Sequence, residues 1–506
     1  MATRIGIAGA LALALGFGFA QDGAGAQELR IGLQDDPDNL DPAISFSFVG
    51  RHALSPICDK LIEIDTQWRL VPQLALSWQT AEDGMSATMK LRPNVVFHDG
   101  EKFDAAAVKF NLERFLTLPE SRRKSEINVI KTVDAVDELT VRIDLQRPFS
   151  PLFAQLADRA GMMASPKAIQ ELGAQFGNKM VCSGPYRMVS RVIQDKIVLE
   201  KFDRHWNAGA YHFKTIVFTG IPDATIRLTN LRSGQLELME RVAAQDMPAV
   251  KADAKLKLMP VASRAYQGIT FNIANGPKAE QPFAKNAKLR QALELAIDRQ
   301  ALTQVISGGA YAPGNQAFPP GDPFYNAAIP IPARDLANAR ALVADSGVAA
   351  PSFTLFVPTD TERQQIGQMI QLMAKEAGIE IKLSSTEFIT MLAEQRKGNF
   401  EATLVGWSGR ADPDGNLYLL LHSTAGTNDG KYANPEFDRL LDEARSITDA
   451  AKRKTLYDQA IAILGQDKPV IYLFHNPWVF GMAAKLDGFT PYPDGIIRLA
   501  GVRFKN

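Results

Sequence analysis

Few residues in this chain stand at spacings that support covalent chemistry. The six histidines, His52, His98, His205, His212, His422 and His475, are scattered along the sequence. No H-E-x-x-H occurs, and no Cys/His group has zinc spacing. A phosphate loop of the G-x-x-x-x-G-K-[ST] type is also missing. Gly308-Gly-Ala-Tyr-Ala-Pro-Gly314 has the glycines but no lysine, and reads as a helix stop and turn. ATP hydrolysis by that route is therefore excluded. Gly406-Trp407-Ser408-Gly409-Arg410 misses the nucleophile pattern G-x-S-x-G by one position. Ser121-Arg-Arg-Lys124 formally matches S-x-x-K but lacks its S-D-N and K-T-G companions, and reads as a basic, solvated loop. Asp412 and Asp414 are spaced as paired carboxylates, yet their surroundings suit turn formation equally well. The residues point to a protein that binds rather than one that reacts, with no cofactor expected.

The elements around these residues follow an α/β pattern, with helical and strand periodicities alternating and no repeat or low-complexity tract. Asp99-Gly100 marks a tight turn inside Phe97–Phe103, and Asp104 then caps a helix that buries Val108, Leu112 and Phe115. Leu289, Ala292, Leu293, Ala296, Ile297, Leu302, Val305 and Ile306 predict one long helix ending at Gly308-Gly309. A strand at 353–357, a helix over 361–377 stopped by Gly378 and a strand at 379–383 predict a right-handed parallel crossover. A further strand at 402–406 runs into a loop rich in Gly, Asp and Pro. Asn434-Pro435 caps the next helix, which buries Phe437, Leu440, Leu441 and Ala444. Loops leaving strand ends in such sheets are where ligands sit. The Met and Phe residues of these helices are core.

Composition sets the compartment and the partners. Arg4 precedes an uncharged run, Ile5–Ala20, and a small-x-small pattern closes it at Ala24-Gly25-Ala26. Residues 1–26 therefore read as a secretory signal, because a membrane anchor needs about 20 continuous apolar residues. Lys plus Arg equals Asp plus Glu at 56 each, which argues against nucleic acid or an acidic membrane surface as main partner. No cysteine lies near the cleavage region, so no lipid anchor is expected at the mature N-terminus. The two cysteines, Cys58 and Cys182, can form one disulfide in an exported chain, or stay as two separate buried thiols.

Seven stretches together carry a family resemblance. They are Leu40-Asp-Pro42, Leu70-Val-Pro-Gln-Leu-Ala75, Phe97-His-Asp-Gly100, Ser183-Gly-Pro-Tyr186, Ile221-Pro-Asp-Ala-Thr-Ile-Arg227, Arg290-Gln-Ala-Leu-Glu-Leu-Ala-Ile-Asp-Arg299, and Gly406-Trp407 followed by Asp412-Pro413. Their order and spacing resemble extracellular solute-binding protein family 5, which includes the dipeptide-, oligopeptide-, glutathione- and nickel-binding proteins of ABC importers. The resemblance implies a two-lobed periplasmic-binding-protein fold with an extra subdomain in lobe one. Lobe one would comprise 27–57, 183–268 and 482–506, the insertion 58–182, and lobe two 269–481. It further implies a monomeric periplasmic receptor that closes on a small ligand and delivers it to an inner-membrane permease.

Within that family the loop after Gly406-Trp407 is the informative departure. The peptide binders that it resembles place an aspartate there to hold the ligand's ammonium, whereas this chain has Arg410. A guanidinium repels an ammonium and offers a fork to carboxylate or phosphate, which suggests a carboxylate-bearing ligand. The competing readings are that Arg410 points to solvent or pairs with Asp412 or Asp414, or that a two-residue shift restores Asp412 as the ammonium partner. Trp407, Ser408 and Gly409 join Arg410 as candidates. Ser45, Phe46 and Ser47 after the Leu-Asp-Pro element, and Tyr266 and Gln267 near the lobe crossing, complete the set. The alternatives are a metal-chelate or haem carrier of the same fold and a secreted hydrolase acting through Ser408 or Ser121. Nothing points to an added chaperone or sensory role.

Overall fold

The computed structural model describes residues 28–505; the expected signal segment lies outside them. Local signals act where they stand. The Asp104 side chain accepts from the Ala107 amide and starts the helix Ala105–Thr117. Asn434 caps Pro435–Ser446 through the amides of Glu436 and Phe437. The long helix predicted to end at Gly308 is two helices, Ala287–Ala296 and Arg299–Ser307. Ile297 turns extended between them, and Asp298 caps the second by accepting from the Ala301 amide. That break rotates the second helix, so Val305 is 67 % exposed while Leu302 and Ile306 stay buried.

Two sheets organise the molecule. The first runs Leu256–Val261, Trp478–Ala483, Leu238–Met239, Glu28–Leu33, Thr215–Gly220, Lys196–Lys201, Tyr186–Val192, with Glu28–Leu33 parallel to both its neighbours. The second runs Ala312–Pro313, Val470–His475, Tyr266–Phe271, Ala402–Trp407, Ser352–Pro358, Glu380–Thr386. Its last two strands are parallel and joined by the helix Thr361–Glu376, as the crossover pattern predicts. The chain passes between the sheets at 262–265 and again at 476–477. The borders expected at 268 and 481 therefore fall inside the strands Tyr266–Phe271 and Trp478–Ala483, because each strand continues straight from its crossing. The two crossings are stitched together: Ser263 Oγ donates to the Asn476 carbonyl at 2.6 Å, and His475 Nδ1 lies 3.0 Å from the Ala265 carbonyl. Two short links between two sheets form a hinge.

A smaller unit lies between Cys58 and Cys182. Its antiparallel sheet, in the order Ala75–Thr80, Ser86–Leu91, Thr140–Leu145, Ile130–Asp137, has a core of its own that includes Leu91, Val108, Phe115 and Ile143. Cys58 and Cys182 are joined in a disulfide at its base, with their Cα atoms 4.9 Å apart. The Ser121–Lys124 stretch, expected to be solvated, is folded in: Arg123 is 1 % exposed and pairs with Glu126 at 2.5 Å.

Two histidines make this scaffold acid-sensitive. Burial pushes His98, whose Nε2 lies 2.9 Å from the Gly184 carbonyl, down to about 4, and does the same to His475 at the hinge. The unfolded chain takes up these protons near pH 6.5, whereas the folded chain refuses them until about pH 4. Stability is therefore whole above the unfolded value and is lost as pH falls from 6.5 toward 4. Linkage gives a loss of about 2 kcal/mol per histidine between pH 7 and pH 5. Urea unfolding at the two pH values should show it, and His475→Gln should remove its share of the slope. An unchanged slope in that variant counts against the assignment.

Candidate functional site

The carboxyl ends of the parallel strands in both sheets face one inter-lobe cavity of about 210 Å³. Gln34 and Asp35 follow Glu28–Leu33, Glu240 and Arg241 follow Leu238–Met239, and Asp360 to Arg363 follow Ser352–Pro358. This is where open α/β sheets place ligands. Tyr266 and Gln267 reach the cavity because their strand pairs antiparallel with Ala402–Trp407, which sets Tyr266 opposite Trp407 and Gln267 opposite Gly406. Phe46 and Ser47 arrive at the start of the helix Phe48–Leu54, where Asp38 accepts from the Phe46 amide at 2.8 Å and from Ser47 Oγ at 2.5 Å.

One wall is cationic. Arg410 lies over the Trp407 ring at 4.2 Å and donates to Ser408 Oγ at 3.1 Å and to the Gly409 carbonyl at 2.8 Å. Its Nε stands 2.7 Å from Asp158, a residue of the small unit and not one of the expected partners. Arg51 reaches the same carboxylate at 3.2 Å and shares Asp494 with Arg498. Behind them, Arg159 donates to the Ser47 carbonyl and Arg123 to the Ser45 carbonyl, each at 3.1 Å. Burial opposes the Asp158 charge, yet Arg410, Arg51, Arg159 and Arg123 together hold its carboxyl well below the usual range. Burial pushes the Glu126 carboxyl up and, with the neighbouring Arg51 and Arg123, pushes Arg410 down to about 10. Arg410, Arg51, Arg159 and Arg123 thus share Asp158, Glu126 and, through Arg51, part of Asp494, and Arg51 and Arg410 carry the remaining positive charge to the cavity surface.

A second group on the lining is rich in carboxylates. Asp35, Asp360 and Glu362 gather around Arg363, and burial pushes the carboxyls of Asp35 and Glu362 upward. Tyr311 donates to Glu362 at 3.2 Å. Arg241, in the left-handed region with φ 53°, lies 4.7 Å over Trp478 and 5.2 Å from Phe48, rings that stack on each other at 4.5 Å.

Of the residues singled out in the sequence, Arg410, Trp407, Ser408, Tyr266, Gln267, Phe46 and Ser47 line the cavity. Three do not. Ser45 is wholly buried beneath the wall. Gly409 turns at φ 80° with its Cα packed against the Arg264 backbone, and contributes only its carbonyl to Arg410. Asp412 gives both oxygens to Arg453, at 2.9 and 2.7 Å, and lies off the cavity lining. Asp414 pairs with Arg445 instead of Arg410. Arg51, Asp158, Arg241 and Glu362 went unnoticed in the sequence, since none stands in a motif. Among the described residues, no group of three or more His, Cys, Asp or Glu is arranged to hold a metal ion, and no helix is long and apolar enough to cross a membrane.

Comparison with known proteins places this geometry in context. Residues 69–428 match the family model described as bacterial extracellular solute-binding proteins, family 5 middle. The glutathione-binding protein of Pectobacterium atrosepticum is 30 % identical over 471 residues, covering 90 % of each chain. That of Escherichia coli K12 is 28 % identical over 483 residues, covering 93 % of each. Among solved structures, the ABC transporter-associated periplasmic binding protein DppA of Helicobacter pylori, in complex with a peptide, superimposes with a TM-score of 0.87 at 24 % identity. It covers 95 % of this chain and 98 % of its own. The murein tripeptide binding protein MppA of Escherichia coli gives 0.86 at 21 % identity, covering 95 % and 99 %. These structural likenesses show the two-lobed fold.

Proposed function

We propose, since this chain belongs to the bacterial extracellular solute-binding proteins, family 5, that it captures a small, carboxylate-bearing, peptide-like solute in its cleft and delivers it to an ABC permease. Residues 1–26 direct it to the periplasm, where it acts as a monomer. The segment 58–182 is a subdomain inserted in lobe one. The observation that carries the ligand class is the guanidinium surplus behind Arg51 and Arg410 on the cavity wall. A ligand carboxylate meets that surplus with charge-assisted hydrogen bonds, each worth about 1.5–3 kcal/mol. The carboxylate-rich group around Asp35 and Glu362 suits an ammonium elsewhere on the ligand. The curated relatives are named for glutathione, a tripeptide with two carboxylates and one ammonium, which makes it the first probe. A hydrolase reading is disfavoured because Ser408 Oγ accepts from Arg410 and Arg51, where a nucleophile needs a neighbouring base.

Isothermal titration with glutathione tests the reading. Arg51→Ala and Arg410→Ala should each weaken binding by about 10–100-fold, the loss of one charged hydrogen-bonding group. Native mass spectrometry of protein purified without added ligand gives an independent check, since a carboxylate-bearing solute should leave as the chain unfolds. Unchanged affinity in both arginine variants would sink the carboxylate assignment.

A further inference from the structure

Away from the cavity, the small unit is plugged onto lobe two by one buried side chain. Arg445, in the last turn of Pro435–Ser446, pairs with Asp414 at 2.9 Å, and each side chain is 1 % exposed. Both belong to lobe two, so this pair survives when the lobes part. What closure adds is the socket. The Arg445 guanidinium lies 3.5 Å over Tyr418 on its own lobe and 4.6 Å over Phe149 of the small unit. It also donates to the Ser125 carbonyl at 3.1 Å. The Arg445 carbonyl accepts from the Ser150 amide at 2.7 Å and from Ser150 Oγ at 3.1 Å. Gln155 Nε2 donates to Asp414 at 2.9 Å. Neither Arg445 nor Asp414 lines the cavity, but the helix Asp414–Leu421 begins at the plug and ends on the cavity wall with Leu420 and Leu421.

We propose that Arg445 and Asp414 form a clasp that sets the ratio of closed to open cleft, making Arg445 a positioning residue for ligand capture without touching ligand. A charge pair seated whole is hydrated in the open state and satisfied by Ser125, Ser150, Gln155 and Phe149 in the closed one. At this point, unlike at Arg410–Asp158, opening need not pull opposite charges apart, and the closed state is held at a place remote from the solute. Apparent affinity scales with the fraction of molecules already closed, so loosening the clasp weakens binding by speeding release. This inference rests on the hinge-closure part of the proposed function and is independent of which solute binds.

The test uses the full exported chain and two sets of variants. Arg445→Met removes the plug while keeping an apolar stem between the rings. Ser150→Ala with Gln155→Ala alters only the socket and leaves the Arg445–Asp414 pair in place, so it remains informative should the first variant misfold. Small-angle scattering without ligand should show a larger radius of gyration in both sets. Glutathione as probe should bind about tenfold more weakly through faster dissociation. A wild-type radius in both sets overturns the clasp, as does a lowered melting temperature with unchanged radius and unchanged dissociation rate. If the radius shifts but wild-type protein ignores glutathione, the clasp stands and the ligand reading falls. If Arg51→Ala abolishes binding while the clasp variants behave as wild type, the reverse holds.

Discussion

Asp158→Asn is expected to lower the unfolding free energy by about 3–5 kcal/mol, the cost of breaking a buried pair from one side. The substitution keeps the side-chain oxygen that accepts from the Arg159 amide at 2.7 Å, so what it removes is charge. Arg410 then loses its carboxylate at 2.7 Å, Arg51 one of its two, and Arg159 its nearby counter-charge at 3.7 Å. The three guanidiniums repel one another where water cannot screen them. Because the Asp158 carboxyl is held well below the usual range, its contribution is fully present above the unfolded value. That contribution is lost only as pH falls through the folded value. The variant should thus be weaker than wild type at pH 7 and lose its disadvantage in strong acid. Urea titration at pH 7 measures the first effect, and a difference below about 1 kcal/mol would contradict it. Binding should move the other way. Asp158 competes with a ligand carboxylate for Arg51 and Arg410, so the destabilised variant should bind glutathione no more weakly than wild type. Arg410→Leu added to Asp158→Asn should restore part of the stability, because neighbouring charges do not contribute additively.

How far the sequence disclosed this arrangement depends on the range over which each residue acts. Local grammar was legible: Asp104 and Asn434 cap as their types predict, and the 352–386 crossover follows from strand and helix periods. Arg410 and Trp407 stood out because a family pattern was broken at one position of a recognisable loop. The helix break at Ile297 was written in the sequence as Asp298, an N-cap residue, but the continuous apolar spacing masked it. The partner of Arg410 could not be read. Asp412 and Asp414 are neighbours in sequence, but Arg453 and Arg445 claim them from helices that pack alongside. Asp158 comes from the small unit, which only the fold brings against that loop. Arg51 likewise carries no motif, since its role exists only where three distant segments meet. A buried ion cluster is a property of tertiary packing, and one sequence offers no pattern for it.

Replacing both Cys58 and Cys182 by Ala should lower the unfolding free energy by about 3–5 kcal/mol, which makes the disulfide the strongest single covalent constraint on the small unit. The bridge closes a loop of 124 residues, and in the chain-entropy account a loop that long confers close to 5 kcal/mol by restricting the unfolded chain. The native contacts around it do not depend on the bond. The Gly184 amide donates to the Ile57 carbonyl at 2.9 Å, the His98 amide to the Cys182 carbonyl at 2.8 Å, and the Tyr186 amide to the Pro56 carbonyl at 3.0 Å. Folded structure should therefore persist in the variant, with the loss appearing in the unfolding midpoint. Two small cavities at these wholly buried positions would add to the loss, so wild-type protein unfolded with and without reductant is the cleaner comparison. A midpoint shift under reductant that matches the variant assigns the effect to the cross-link. A shift only in the variant assigns it to packing. The denaturant slope carries separate information: a shallower slope without the bridge would mean that the unit with its own core unfolds apart from the two lobes. That outcome would tie the disulfide to capture as well as stability, because the unit supplies Asp158, the carboxylate that Arg51 and Arg410 share, and the socket for Arg445.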